Sequence, residues 1–422
     1  MTFIHTLIDR KVRRIEIGAS VVALLMVLAL CGCGGSSTST TKAKTSSLAK
    51  RVLVSNQFSN VVQLLDAQKD AFATTIAVNA PTKMITRSIV TAVVDSSTNT
   101  VAFIDNPSET VKVQPAMPGT IDDIALSSDA KTCYVAMRNL GLLAIINVPD
   151  GTFTTEAIPG IARLVLGPNN SKLLGFSDDA QNLPTTNANA FYVIDAVSHV
   201  AVSMNPSLGT LVGAQPFNAV FVDGGHAFIL NCAQECGGTA TAAGIQLLDL
   251  TTPLPTLGGP IAGMPANAGA TVGLLSGSSL FIAGTPSAGT GSLVVFNTST
   301  NTFSPVLAIQ DGLHSRIALT SNNRLFVGSQ NCLAAPSGTS FQGCLAILDT
   351  AKGFAQTSLT FPVFSGFRNN FSVTGMQPIS GRNVIYVIEG GELDIFDITT
   401  NALTPTQLDI SGKAIDVALI DP

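Results

Sequence analysis

The feature that most constrains this chain is a unit that recurs along it from about residue 50 to its end. In each copy a short apolar run ends in Asp or Asn and is followed by a polar turn. The copies read VVQLLDA at Asp66, VAFIDN at Asp105, LAIINV at Asn147, FYVIDA at Asp195, IQLLDL at Asp249, LVVFNT at Asn297, LAILDT at Asp349 and LDIFDI at Asp397. Successive copies lie 39 to 54 residues apart, with a mean of about 47, close to the roughly 40–50-residue period of propeller blades. An upstream strand pattern precedes most of them, such as RVLVSN (51–56), TCYVAM (132–137) or VIYVIE (384–389). A shorter one, such as SRIALTSN (315–322), comes before that, and an exit strand such as ATTIAV (73–78) follows the turn. Helical periodicity is absent from the repeated region. Four antiparallel strands per copy predict an all-β fold, a β-propeller of eight four-stranded blades. A count of seven stays open if the short second unit is irregular.

The two ends of the repeated region complement each other. It starts near Lys50 directly with a second-strand pattern and finishes with AIDVALIDP (414–422), a first-strand pattern with nothing after it. The C-terminal strand is therefore expected to complete the N-terminal blade, closing the ring and hiding a sheet edge. The Asp or Asn closing each third strand suits a turn, because a short side-chain acceptor there bonds N–H groups two residues on. The sharper alternative is a ring of carboxylates binding metal, and turn capping accounts for the same residues without it.

The strings KRVLVSNQFSNVVQLLDAQKDAFATTIAV (50–78) and TCYVAMRNLGLLAIINVPDGTFTTEAIPG (132–160) resemble YVTN-type β-propeller repeats. The resemblance spans 50–422, with later copies degenerate and carrying insertions. It implies the fold and is nearly silent on function, because propellers host many activities. The WD-repeat signature is missing, and with Trp 0 the chain lacks the residues that pack quinone cofactors in quinoprotein propellers. No cofactor is expected.

Residues 1–32 read as a lipoprotein signal. Arg10, Lys11, Arg13 and Arg14 form a basic start, and the stretch Ile17–Leu30 follows. It is too short for a comfortable membrane span, which needs about 20 residues, and suits a signal-peptide core. Leu30-Cys31-Gly32-Cys33 resembles a lipobox with Cys33 as acceptor, although Cys31 stands where Ala or Ser is usual. Acylation at Cys33 would tether the protein to a membrane. Residues 33–49, rich in Gly, Ser and Thr, would form a flexible tether, and by resemblance to the enterobacterial sorting rule Gly34, rather than Asp, after the acceptor implies delivery to the outer membrane of a bacterial envelope. Residues 50–422 would be one propeller domain.

The formal charge of the chain is -5. Removing 1–32 takes away four basic and two acidic residues and leaves a net −7. No Lys/Arg cluster follows Arg14, so nucleic acid is not an expected partner. Cys232 with Cys236 and Cys332 with Cys344 each follow a second strand, and each pair would staple its own blade's loop in an oxidising envelope. A four-Cys zinc site is the alternative, and neither the spacing nor an accompanying His supports it. Cys133 sits inside an apolar alternation and reads as a buried thiol.

No G-x-S-x-G, H-E-x-x-H or Walker-type loop stands where its chemistry would require it. His199 falls in a strand-connecting turn and His226 begins a second strand after Gly224-Gly225, and solvated positions account for both. Aligning the first strands instead puts a polar residue just before the apolar run: Asp123, Arg163, Arg316, Asn370 and Asp416, with His314 and Arg368 nearby. These residues are candidates for ringing one mouth of the central channel, where an envelope protein, a peptide or a small ligand would bind. A polar rim that is merely wet is the plainer explanation, since exposed polar residues need no special cause. The sequence thus reads as a non-catalytic binding scaffold, against a lactonase-like propeller hydrolase or a purely structural surface protein. If the anchor is read correctly, Cys33→Ala releases the protein from membranes and abolishes fatty-acid labelling, checked by fractionation and metabolic labelling.

Overall fold

A strand that is apolar at consecutive positions must be covered on both faces, and each of these blades is a sheet sandwiched between two others. The computed structural model describes residues 46–87, 89–177, 190–204, 215–238, 240, 242–287, 290–333, 343–356, 372–404, 406 and 408–421. Cys33, Arg368 and Asn370 lie outside these residues. The strands form eight antiparallel sheets, each running outward from one innermost strand. In ring order the innermost strands are Ala414–Leu419, Pro81–Arg87, Asp123–Leu126, Ile161–Leu166, Pro216–Phe221, Val272–Ser276, Leu313–Leu319 and Val373–Pro378. Each packs beside the next, and Val373–Pro378 returns to Ala414–Leu419. Blades 1 to 8 are named in this order. In blade 6 the outer strand comes in two pieces, Thr302–Phe303 and Leu307–Ile309, both paired with Thr290–Asn297.

The core is correspondingly a ring of eight apolar layers, one between each pair of neighbouring blades. Alternation along a strand divides its residues between two layers. Val52 and Val54 face Tyr386 and Ile388 of blade 8, whereas Leu53 faces Met84 and Val93 of blade 2. Phe326 and Phe396 meet edge to face between blades 7 and 8, with ring centroids 6.1 Å apart.

The third strand of every blade ends in the repeated Asp or Asn, and seven of the eight accept a backbone N–H from the turn that follows. Asp397, for instance, accepts from Thr399 at 2.7 Å and Thr400 at 3.2 Å. Asn147 departs: its amide donates to Asp150, which itself caps Thr152. Four residues after the Asp or Asn, the chain turns left-handed at Asp70, Glu109, His199, Asn301 and Asn401. Such four-residue hairpin loops built on a type I turn need that conformation at their last position. His199 is thus a turn residue.

Closure is the step on which the ring depends. Ala414–Leu419 pairs antiparallel with Arg51–Asn56, matching Val52 with Leu419 and Val54 with Val417. The sequence expectation of eight blades closed by the C-terminal strand is what the structure contains. Arg51 reinforces the joint: its guanidinium reaches Asp421 at 2.8 and 2.9 Å, and the Asn106 carbonyl of blade 2 at 2.6 Å. On the other side of blade 1, Arg382 and Tyr386 of blade 8 hold Asp70, with Arg382 Nη2 at 2.9 Å. Burial opposes ionisation of Asp70, but these two hydrogen bonds outweigh it and hold the carboxyl below its ordinary range.

Removing residues 414–422 is expected to abolish cooperative unfolding, because blade 1 loses its inner strand and two layers open. Arg51→Met should cost about 1.5–3 kcal/mol, the range for hydrogen bonds to charged groups, read from urea denaturation.

Candidate functional site

Strand direction gives the ring two unlike ends. The first strand of each blade leaves one end and the second returns to it, so second-to-third and blade-to-blade connections share that end. The opposite end carries the tight capped turns. The longer connections and both disulfides therefore belong to the end where the innermost strands begin. Cys232–Cys236 follows His226–Asn231 in blade 5, with Cα atoms 5.8 Å apart. Cys332–Cys344 follows Arg324–Gln330 in blade 7, with Cα atoms 5.6 Å apart. These are the two expected pairs. Cys133 is buried and unpaired, and burial drives its thiol pKa far up, so it is inert as a nucleophile.

At this mouth one position recurs on the innermost strands. A bulge at or just before it shifts the register in six of them, which re-aims the side chain there. Around the ring the position is held by Asp416, Lys83, Asp123, Arg163, Asn218, Arg316 and Gly375 in blades 1, 2, 3, 4, 5, 7 and 8. The sequence alignment found Asp123, Arg163, Arg316 and Asp416. It missed Lys83 and Asn218, which also precede apolar runs, Met84-Ile85 and Ala219-Val220-Phe221. It chose Asn370 for blade 8, but there the equivalent residue is Gly375, because the strand begins at Val373.

Three of these side chains make the same contact. Asp123 accepts its neighbour Ile124 N–H at 2.9 Å through Oδ1, and Leu164 N–H of the next blade at 2.8 Å through Oδ2. Asp416 does likewise with Val417 and with Met84 of the next blade, both at 3.0 Å. Asn218 accepts from Ala219 at 2.9 Å and donates across to Thr271 O of blade 6 at 3.2 Å. Each ties one innermost strand to the next, so these carboxylates are structural latches as well as channel-lining groups. Burial raises the pKa of Asp416, against the pull of Arg316 and of the Met84 and Val417 N–H groups.

Cations interleave with the latches. Lys83 pairs with Asp123 Oδ1, and Arg316 Nη2 stands 3.6 Å from Asp416 Oδ1. Arg163 stacks over the Phe217 ring at 3.6 Å. From blade 7 round to blade 4 the order is Arg316, Gly375, Asp416, Lys83, Asp123, Arg163, an alternating arc that begins and ends on arginine.

His314 is not part of this arc. It is 1% exposed, with Nε2 2.9 Å from Gln310 O and Nδ1 3.3 Å from the Thr285 hydroxyl. Burial pushes its pKa down to about 4, so it is a neutral structural histidine. Its neighbour Asp311 holds the blade 7 disulfide loop by accepting Leu333 N–H at 3.0 Å.

Glu235, inside the Cys232–Cys236 loop, escaped sequence reasoning because a lone Glu in a loop carries no pattern. Its carboxylate presses on blade 6 at Gly284, where a Cβ would come within 2.7 Å of Oε2. Both oxygens are shut off from solvent, and among the described residues no donor reaches hydrogen-bond geometry. Burial pushes its pKa up to about 7, with Thr285 N–H and the Thr271 hydroxyl opposing weakly.

No family model and no curated protein matches the chain. Solved structures do. The dihydro-heme d1 dehydrogenase NirN in complex with DHE is 11% identical, with a TM-score of 0.62, covering 88% of this chain and 75% of that one. Citrobacter koseri AztD is 13% identical, with a TM-score of 0.58, covering 88% and 97%. A functionally unknown protein from Desulfotomaculum acetoxidans is 15% identical, with a TM-score of 0.53, covering 89% and 100%. At such identities the likeness establishes the β-propeller fold alone.

Two of the buried titrating groups, Glu235 and His314, bias stability in opposite senses. Glu235, with its pKa raised, contributes stability that is full below about pH 4.5 and lost as pH rises through about 7. His314, with its pKa lowered, contributes stability that is full above about pH 6.5 and lost as pH falls towards 4. Between those limits they offset each other. Glu235→Gln should therefore expose the histidine's dependence: its stability climbs by on the order of 1–3 kcal/mol from pH 4.5 to 6.5, given about 1.4 kcal/mol per pKa unit. Urea midpoints across that range check it; a profile as flat as the wild type's refutes the assignment.

Proposed function

We propose that this chain is a lipid-tethered protein of the bacterial envelope, exported and anchored at the outer membrane through Cys33. On this reading its YVTN-like propeller is a binding or interaction scaffold without chemistry of its own. The ligand or partner docks at the mouth of the channel. The observation that carries this reading is the latched, charge-alternating arc. Side chains fixed by backbone hydrogen bonds form a rigid, pre-organised surface, which lowers the ordering cost of binding.

The same geometry counts against a lactonase-like hydrolase. Such an enzyme needs a base, nucleophile or metal positioned in the mouth. Asp123 and Asp416 each accept two backbone N–H groups, and His314 is buried and bonded on both nitrogens. All three are poorly placed to take a proton from a substrate.

Affinity capture from cross-linked membranes tests the scaffold, comparing the wild type with Arg163→Ala/Arg316→Ala. The expected result is loss of a specific partner in the variant. An unchanged profile moves the interaction to another face, and no partner in either sample favours a purely structural protein.

A further inference from the structure

Glu235 is placed where its charge has nothing to meet. Both carboxylate oxygens are closed to solvent, and among the described residues neither has a donor in hydrogen-bond geometry. The wall they press on is bare backbone of blade 6. There Gly284 and Gly269 cross so closely that a Cβ on either would come within 2.5 and 2.4 Å of the other's carbonyl carbon. Among the described residues no charged side chain acts on the carboxyl; Thr285 and Thr271 face it from blade 6. Beyond Thr285 stands His314 of blade 7, with Nδ1 3.3 Å from a hydroxyl that already donates to Gly312 O at 2.7 Å. On its own loop the carboxyl has the two half-cystines. A buried carboxyl without donor or cation is held in its protonated form.

The disulfide brackets this residue. Cys232 and Cys236 are joined across a separation of 4, and Glu235 lies inside the ring, on the single 3₁₀ turn Ala233–Cys236. One side of the ring is anchored in the fold. Cys232 is 2% exposed, and its N–H donates at 3.0 Å to Gln215 O, just before the innermost strand of blade 5. The far side is held by bonds within the loop, Gly237 N–H to Gln234 O at 3.1 Å and Gly238 N–H to Ala233 O at 2.8 Å. Glu235 N–H reaches Cys232 O at 3.3 Å, a long bond. The covalent tie between the Glu235 side and the anchored side is the S–S bond.

We propose that Cys232–Cys236 and the Glu235 carboxyl form one redox and proton switch: the closed disulfide keeps the carboxyl buried and protonated, and reduction frees the loop so that the carboxyl reaches water and ionises. A dithiol reductant supplies the two electrons and two protons. The protein S–S bond breaks, two S–H groups form, and the dithiol closes to its own disulfide. Glu235 releases one further proton to solvent. Below the thiol pKa range, dithiol exchange alone moves no net proton, so the carboxyl makes reduction easier as pH rises. The switch does not depend on the mouth being the binding face.

The full chain in detergent, equilibrated with reduced and oxidised dithiothreitol at several pH values from 4.5 to 7, tests it. Acid quench, alkylation and mass spectrometry read the thiol fraction of the Cys232/Cys236 peptide. In the wild type the exchange constant should rise by about tenfold per pH unit in the middle of that window, and in Glu235→Gln that rise should be absent. A measurement on the wild type guards against a variant that misfolds. With glutamate carboxyls labelled with carbon-13, one of them should titrate near pH 7 while the disulfide is closed and return to the ordinary glutamate range on reduction. A flat wild-type profile, a rise that survives in Glu235→Gln, or a Glu235 titration indifferent to the disulfide overturns the switch.

Discussion

A closed ring of sheets has no free end at which an error can be absorbed, so the pairing of Ala414–Leu419 with Arg51–Asn56 governs everything else in the molecule. Without that strand, blade 1 has no inner edge to pack beside Pro81–Arg87 and Val373–Pro378, and the layers on both its sides are exposed. The joint is also where ionic contacts concentrate. Arg51 gathers Asp421 with Asn106 and Glu109 of blade 2, while Asp70 meets Arg382 and Tyr386 of blade 8. A fold whose core is a ring of layers, with no single centre, places its specific polar contacts where the chain ends must find each other.

The same constraint shapes the channel. Innermost strands are edges: their outward side is hydrogen-bonded within the blade, and their channel side has no sheet partner. Asp123, Asp416 and Asn218 answer part of that need by bonding the backbone of the next blade. A residue that latches two blades is therefore held rigid, and rigidity is what a binding surface gains from it. Structure and candidate site are not separable here. The carboxylates Asp123 and Asp416 are held by the backbone of two blades, and Lys83 and Arg316 stand beside them.

Much of this was legible from residue order. The repeated Asp or Asn announced both the blade period and its turn chemistry, since the side chain acts within a few residues of itself. The four downstream cysteines announced two staples because each pair flanks one loop. The channel position was half legible. Asp123, Arg163, Arg316 and Asp416 stood out as charged residues before apolar runs, whereas Lys83 and Asn218, in the same setting, were missed. In blade 8 the search for a polar residue led to Asn370, outside the described residues, when the position belongs to a glycine.

Residue order by itself determined the fold class, the turns and the closing strand, because these follow from local periodicity and the complementarity of two chain ends; it left the blade count at eight or seven, and the structure made it eight. Tertiary structure alone decided what the polar residues do. His314 looked like a mouth residue and is buried against Gln310 and Thr285; Asp123 looked available and is tied to Leu164, which lies 41 residues on. Glu235 gave no signal at all, and its raised pKa comes from burial where it meets the adjacent blade at Gly284. Burial and hydrogen-bond occupancy depend on what a neighbouring blade brings into contact, and such contacts have no fixed spacing along the chain.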